Sequence, residues 1–479
     1  MLLHYIKRGA FQTIVYTASS FIVRFVGFIC MPWFVARMSL QDFGLWDYYQ
    51  LYFQLGIIAL SSCSALSLTR FYVLYAHEPE KQKKIIGNAT LLLLTITFIA
   101  VFFFYYSDQT RFHLYAKITT LSICFFSLFS LFLAYLRVRQ KVWLYLLVFV
   151  AQGIGAICMT MIGVYKGYAL DAYFYANFFS YVLAVPGFLY LLLRYYSFCP
   201  NLIKEQLWYG IPLVLHTLVY HGFFSVDRFI LKETAGLEVL GLYSLLWRFG
   251  TLFQFFAISL FDVWPIMMLS AQKEKNNVDL LKKLTTYCCI ALLTGCLATI
   301  SFSRCLLGYA FAYKYQTLIQ YLPLYFLPMA LLEIARLLQG VSILSGKTIF
   351  IPVLSFIAVI IQVFCIYTLQ SYGLWGVFAA NCIAFAVYAV LSGLFSIFFY
   401  HKTIFEIGRI IKLFILFLLY ILLLHYMCCL HWLHCIALFA SWPLALWFFN
   451  LIDKAEKMWF IKKVSQSFEQ LFLYIPIFK

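Results

Sequence analysis

The chain has 479 residues, of which 65% are hydrophobic and only 11% charged, with a formal net charge of +17 at pH 7. That composition excludes a soluble globular protein. In a soluble chain the positive balance would suggest a nucleic-acid partner; here its distribution between apolar runs supplies another explanation, and no nucleic acid is expected.

Apolar runs long enough to cross the hydrocarbon core of a bilayer begin near residues 10, 43, 85, 112, 141, 168, 206, 238, 284, 318, 350, 372, 408 and 430, about fourteen in all. The first is too long for a cleaved signal peptide, carries Arg24, and is not followed by a small-x-small cleavage site. The fold class expected is therefore an all-α polytopic membrane protein. With the amino terminus in the cytoplasm, the inner loops carry Lys81, Lys83, Lys84, Arg137, Arg139 and Lys141 among many basic residues. The outer loops carry only Arg37, Arg111, Lys117, Lys166, Lys232, Arg304 and Lys314. This asymmetry is the positive-inside pattern and puts both termini inside. Trp33, Trp143 and Trp208, near run ends, read as interfacial anchors.

The loops are short, and the longest polar ones are His77 to Lys84 and Gln272 to Lys283. None could hold a catalytic domain, so the chain is not expected to be an enzyme. The tail beyond Asp453 mixes Lys454, Lys457, Lys462 and Lys463 with Trp459, Phe460 and Phe468. It reads equally as an amphipathic helix on the inner leaflet or as a partly ordered tail. Fourteen cysteines lie mostly within apolar runs with no C-x-x-C, the pattern of small membrane hydrophobes rather than disulfides or metal ligands.

The chain repeats weakly. Phe43-Gly44-Leu45-Trp46 opens the second run, and Leu240-Gly241-Leu242-Tyr243 opens the eighth. Each follows a basic residue (Arg37, Lys232) and a short acidic loop (Asp42; Glu233, Glu238). Six spans separate the two, so the halves share an orientation, as in a parallel repeat with its cavity between lobes. The expected organisation is residues 1–200 as an N-lobe, 201–402 as a C-lobe, 403–452 as two further spans, and 453–479 as a cytoplasmic tail.

Arg24, Arg248 and Arg336 sit deep within apolar runs. An arginine at mid-bilayer costs roughly 2.5–3.5 kcal/mol on insertion scales, so it must face an interior cavity or a negative partner. Arg248 shares a helical face with Ser244, Thr251, Ser259 and Asp262; Arg24 shares one with Thr13, Thr17, Ser20 and Gly27. The serines and threonines read equally as helix–helix hydrogen-bonding groups. For Arg24 and Arg248, too deep to snorkel, a ligand role is favoured. Arg336 could equally form a local pair with Glu333, with Pro323 and Pro328 expected to kink its helix. Arg228, after Asp227 and with Thr217, His221 and Ser225 on one stripe of the seventh span, and Arg70, late in the second, favour pairing or snorkelling. Asp47, Asp262 and Glu333 are the acids to consider for cation coupling.

Two decoys are set aside. Gly340 to Thr348 has one residue too many for a phosphate-binding loop and no preceding strand. Asn88-Ala-Thr90 fits a glycosylation sequon but falls on the cytoplasmic side. No cofactor signature is present.

Guanidinium groups converging on a cavity match a polyanion such as a pyrophosphate. At this point the chain resembles the bacterial polysaccharide-unit flippases of the multidrug/oligosaccharidyl-lipid/polysaccharide exporter superfamily. The resemblance rests on Ala36-Arg37-Met38-Ser39 through Asp42-Phe43-Gly44, on Asp227-Arg228-Phe229-Ile230-Leu231 closing span seven, on Leu240-Gly241-Leu242-Tyr243-Ser244, and on Gly373-Leu374-Trp375-Gly376-Val377. It implies two six-helix lobes, alternating access, a bacterial inner-membrane location, and an undecaprenyl-pyrophosphate-linked oligosaccharide as substrate, an O-antigen, capsule or exopolysaccharide unit. It implies membrane lipids, a polysaccharide polymerase and glycosyltransferases of the same pathway as partners. By the same resemblance, Arg24 and Arg248 occupy the spans whose arginines lie near the headgroup in related lipid II flippases. Arg70, Arg228 and Arg336 are the further candidates for the substrate. Aromatic and polar residues such as Tyr220, Trp247 and Gln254 would touch the glycan. A cation-coupled multidrug antiporter of the same superfamily would instead need a cavity dominated by acids and aromatics. A membrane glycan polymerase or ligase would need a large outer loop.

Overall fold

The computed structural model describes residues 2–75, 77–106, 114–182, 185–273, 278–310, 318–339, 350–400, 406–427 and 432–452. The Gly340–Thr348 decoy and the tail beyond residue 452 lie outside them. Within them the regular structure is helical. In chain order the helices are α1 (Leu2–Ile29), α2 (Met31–Arg37), α3 (Leu40–Leu74), α4 (Pro79–Tyr106), α5 (Leu114–Val138), α6 (Val142–Tyr165), α7 (Ala169–Val182) and α8 (Val185–Tyr195). There follow α9 (Pro200–Gly222), α10 (Val226–Lys273), α11 (Val278–Ala310), α12 (Leu318–Leu338), α13 (Phe350–Leu369), α14 (Leu374–Tyr400), α15 (Ile407–Met427) and α16 (Trp432–Phe448).

Among the described residues, 12 segments are long and apolar enough to cross a membrane. Helix α9 falls short because its ends are polar, and α16 because it has 17 residues. Adding these two recovers the fourteen positions expected. A helix satisfies every backbone group internally, which a bilayer demands. Hydroxyl side chains follow the same rule. Ser19, Ser61, Thr90, Ser127, Thr160 and Thr217 each donate to the carbonyl four residues back.

Two boundaries differ from those expected. The first span breaks at Cys30, and the short helix α2 follows from Met31 with Pro32 in its first turn. The seventh ends at Gly222; Asp227-Arg228 does not close it but lies in the first turn of α10. The acidic residue after span one is not a free loop charge. Asp42 closes a capping box: Ser39 Oγ accepts from Asp42 N–H at 3.0 Å, and Asp42 Oδ2 accepts from Ser39 N–H at 3.1 Å. Inside α10, Gly236 (φ 84°, ψ 178°) makes the corresponding break, a conformation that favours glycine. Helix α12, in contrast, runs through Pro323 and Pro328 as a single element.

The repeat is visible as a contact. Gln41 Nε2 donates to Glu238 Oε1 at 2.9 Å, and these residues lie 197 apart in sequence. A Cβ on Gly44 would lie 1.9 Å from the Leu237 carbonyl oxygen, and one on Gly241 would lie 2.1 Å from that of Leu40. Leu40 and Leu237, Gln41 and Glu238, Gly44 and Gly241 are all pairs at that one offset. The starts of α3 and of the second part of α10 therefore cross as reciprocal copies, backbone against backbone.

By packing, the protein falls into two units, Met1–Arg248 with Ser355–Ala384, and Phe249–Leu354 with Phe385–Lys479. In the first, α3 packs on α4, α5 and α9, and α6 on α1 and α7. One apolar core in it joins Leu68, Phe71, Ile85, Ile86, Phe129 and Leu133. The sequon asparagine is buried here. Asn88 holds Cys199 through both its amide atoms, at 3.2 and 3.0 Å, and so fixes the start of α9. In the second unit, α11 packs on α12, α15 and α16. Trp442 Nε1 donates to Thr294 Oγ1 at 2.8 Å, and His425 Nδ1 meets the Gln320 carbonyl at 3.0 Å.

Gly44→Leu or Gly241→Leu must push the crossing apart. Overpacking of this kind costs about 1–3 kcal/mol. Each variant is expected to lower the melting temperature of the detergent-purified protein, and the pair together no more than additively; an unchanged Tm would mean that the crossing opens without loss.

Candidate functional site

Asp47, Arg228 and Arg248 of the first unit gather around Trp46 and Trp247. Arg228 is 1% exposed and Asp47 is 2% exposed. Arg228 Nη1 approaches both carboxylate oxygens of Asp47, at 3.2 and 3.3 Å. Its Nε donates to the Phe224 carbonyl at 2.8 Å, and Nη2 donates to the same oxygen. The guanidinium also lies over the ring of Trp247, 4.4 Å from the centroid. The next residue, Arg248, lies over Trp46, 4.0 Å from its centroid, and Trp46 precedes Asp47. The arrangement is crosswise: each tryptophan carries a cation, and the residue beside each tryptophan belongs to the charged set.

Asp227 anchors a second buried group. Its Oδ2 accepts from Tyr243 Oη and, at 3.1 Å, from Asn381 Nδ2. Asn381 Oδ1 accepts from Gln362 Nε2 at 2.8 Å, and that nitrogen also reaches the Phe223 carbonyl at 3.1 Å. The carbonyls of Phe223 and Phe224, freed where α9 stops, are thus the acceptors for Gln362 and Arg228. This network ties α13 and the start of α14 to the α9–α10 junction within the first unit.

The other candidates stand apart from this set. Arg24 is exposed, on α1 inside the apolar stretch Ala18–Arg37. Arg70 is exposed near the end of α3, with its guanidinium over Tyr209 at 4.1 Å. In the second unit Arg336 Nη1 pairs with Glu333 Oε2 at 2.7 Å and lies 4.4 Å from the Phe261 centroid. Of the two readings open for Arg336, the local pair with Glu333 is present. The side chains of Thr13, Thr17, Ser259 and Asp262 lie outside the described residues, and Thr217 is bonded to its own helix. Trp247 packs on Phe224 and under Arg228.

Sequence reasoning missed Tyr173, Asn177 and Tyr181 on α7. With Tyr49, Gln50 and Phe53 of α3 and Thr119 and Ser122 of α5, they line a cavity of about 150 Å³. The signal was there: Tyr173, Asn177 and Tyr181 recur every four residues, a single helical face.

The model of one protein family, described as polysaccharide biosynthesis protein, matches residues 11–270, more than half of the chain. The chain belongs to this family. Among solved structures, it is similar to a lipid II flippase MurJ in an inward closed conformation, with a TM-score of 0.66 and 16% identity over 91% of this chain and 99% of that one. It is also similar to an inward-facing multidrug resistance MATE family transporter (TM-score 0.59, 18% identity, 80% of this chain and 93% of that one). A third is a MOP superfamily transporter from Pyrococcus furiosus (TM-score 0.55, 16% identity, 80% and 95%). No curated protein sequence matches the chain. At these identities the structural likeness establishes the fold. Family and fold together make the protein a multi-pass, all-helical member of the polysaccharide biosynthesis family, with the fold that these transporters share.

The family match covers the Asp47–Arg228 pair, and the pair's energetics are testable. Removing one partner from a buried ion pair costs about 3–5 kcal/mol, whereas replacing both by apolar groups is often neutral. Asp47→Leu alone should lower the Tm of the purified protein sharply, and Asp47→Leu with Arg228→Met should restore most of it. A double variant as unstable as the single would mean that Arg228 acts through Phe224 and Trp247 rather than through charge.

Proposed function

We propose that this protein is a flippase that moves an undecaprenyl-pyrophosphate-linked oligosaccharide from the cytoplasmic to the outer leaflet of a bacterial inner membrane by alternating access. Arg24 and Arg248 hold the pyrophosphate. The observation that carries this reading is the position of these two cations. Arg24 is exposed inside one apolar membrane segment, and Arg248 lies inside another, Val226–Ile258, spread on the face of Trp46. A guanidinium kept at that depth is expensive unless it meets a negative partner, a water-filled path or a charged substrate. Its planar fork fits two phosphate oxygens at once.

The remaining candidates divide by environment. Arg228 holds the α9–α10 break through Asp47 and the Phe224 carbonyl, and Arg336 answers Glu333. Their part in transport is to keep that geometry, with a substrate contact only if these pairs open. Arg70 reaches toward the headgroups at a span end. Asp47 and Glu333, each facing an arginine, and Asp262 are the acids through which an ion gradient could act. Residues 1–200 and 201–402 work as two six-span lobes, 403–452 add two spans, and 453–479 form a cytoplasmic tail, with both termini inside. On that orientation the Gly44–Gly241 crossing lies on the outer side, and release of the glycan requires it to part. Polymerase and glycosyltransferases of the same pathway are the partners this reading implies. The lining of the path binds and reorients; no bond is made or broken.

The test is the lipid-linked glycan pool in cells lacking the protein, with the leaflet read by an impermeant label. Cytoplasmic-side accumulation, reversed by the intact gene, is expected. Arg24→Ala and Arg248→Ala should each abolish the reversal while the protein stays in the membrane, and Arg24→Lys should restore it only in part. Normal export by the double alanine variant would overturn the pyrophosphate assignment. An unchanged pool with heightened sensitivity to cationic drugs would indicate a multidrug antiporter instead, and accumulation on the outer leaflet a polymerase or ligase.

A further inference from the structure

The cavity between α3, α5 and α7 is distinct from the arginines in its chemistry. Among its lining residues none is charged. Five are aromatic, including Tyr49, Phe53, Tyr173 and Tyr181. The rest are amides and hydroxyls: Gln50, Asn177, Thr119 and Ser122. At about 150 Å³ it exceeds the ~30 Å³ share of a single water several-fold.

Its polar groups are only partly used by the protein. Asn177 donates its Nδ2 to the Tyr173 carbonyl at 2.8 Å, which leaves Oδ1 as an acceptor. Ser122 donates to the Ile118 carbonyl at 2.8 Å and keeps its own lone pairs. Thr119 is 5% exposed, and its Oγ1 meets no hydrogen-bond partner among the described residues. A buried hydroxyl in that state carries a desolvation cost that a bound group can relieve. The aromatic walls are fixed by their own packing: Phe174 stacks on Tyr115 at 4.6 Å and meets Tyr49 edge-on at 5.5 Å, and Phe53 stacks on Tyr181 at 5.7 Å.

The cavity also has a physical link to the cation. Trp46, Tyr49, Gln50 and Phe53 fall on one face of α3 at spacings of three and four. Trp46 carries Arg248, 4.0 Å from its ring centroid, and packs on Tyr173, with ring centroids 4.3 Å apart. The Trp46–Tyr173 contact thus links Arg248 to the cavity, with Trp46 about one helical turn from Gln50 along α3.

Rigid rings for the C–H faces of a pyranose, with amides and hydroxyls for its rim and no cation for a uronate, make a site for a neutral sugar. We infer that this cavity is a glycan subsite of the flippase, taking one neutral sugar residue of the lipid-linked unit whose pyrophosphate lies near Arg248. The inference rests on the function proposed above.

The test compares two lipids bound to the full-length protein in nanodiscs: undecaprenyl pyrophosphate alone, and the lipid-linked glycan extracted from cells that make it. Thr119→Phe fills the cavity without adding charge. It is expected to weaken binding of the glycan-bearing lipid at least tenfold, down to the level of the bare lipid, whose own affinity should stay within twofold. Gln50→Leu with Asn177→Leu, close in volume to the native side chains, gives the same readout should Thr119→Phe not insert. Wild type and variants that bind both lipids alike would overturn the subsite while leaving the pyrophosphate assignment standing. Wild type that binds neither lipid would overturn that assignment, and this inference with it.

Discussion

A buried arginine has no water to fall back on, and the junction of α9 and α10 is arranged around meeting that demand. Arg228 takes a carboxylate from α3, a carbonyl freed where α9 stops, and the face of Trp247 further along α10. The break between α9 and α10 is therefore not a defect in a span. It presents the Phe223 and Phe224 carbonyls as acceptors, and Gln362 and Arg228 take them up. Asp227, bonded by Tyr243 and Asn381, completes the group. Buried charge is weak evidence for stability in itself. Here it specifies which helices meet.

The same region shows how a weak internal repeat becomes geometry. Ser39 and Gly236, at the same offset as the crossing residues, end one short helix and start a long one by different chemistry: a capping box in the first copy, a left-handed glycine in the second. A few residues on, Gly44 and Gly241 let the two long helices touch through their backbones. In lipid, helices gain little from hiding apolar side chains from one another, so close approach at small residues is what holds a crossing together. A crossing that depends on a small contact of this kind, flanked by one polar link between Gln41 and Glu238, is suited to opening and closing.

Between that crossing and the cavity lies a short, continuous chain of rings and charges. Asp47 and Arg228 set the position of α3 against α10; Trp46 carries Arg248; Tyr173 backs Trp46 and lines the cavity. An anion at Arg248 and a neutral group in the cavity would both bear on the Trp46–Tyr173 ring pair.

The sequence by itself determined the membrane-spanning class, the number of spans and the offset of the repeat. These follow from local hydropathy and from glycine and charge at span ends, which need no knowledge of neighbours. It also marked Arg24, Arg248, Arg228, Arg336 and Asp47 as costly, because an ionised group in an apolar run is visible one residue at a time. The Glu333–Arg336 pair was legible for the same reason, since its partners are three residues apart on one helix. Only the tertiary structure decided that Arg228 faces Asp47, 181 residues away, that Asn381 and Gln362 join Asp227, and that Asn88 is a buried tie to Cys199. It alone assembled Tyr49, Thr119 and Asn177 around one cavity. Hydropathy records how much a side chain dislikes lipid, but a hydrogen bond or a cavity wall depends on which helix face meets which, and that is settled by packing across the whole bundle.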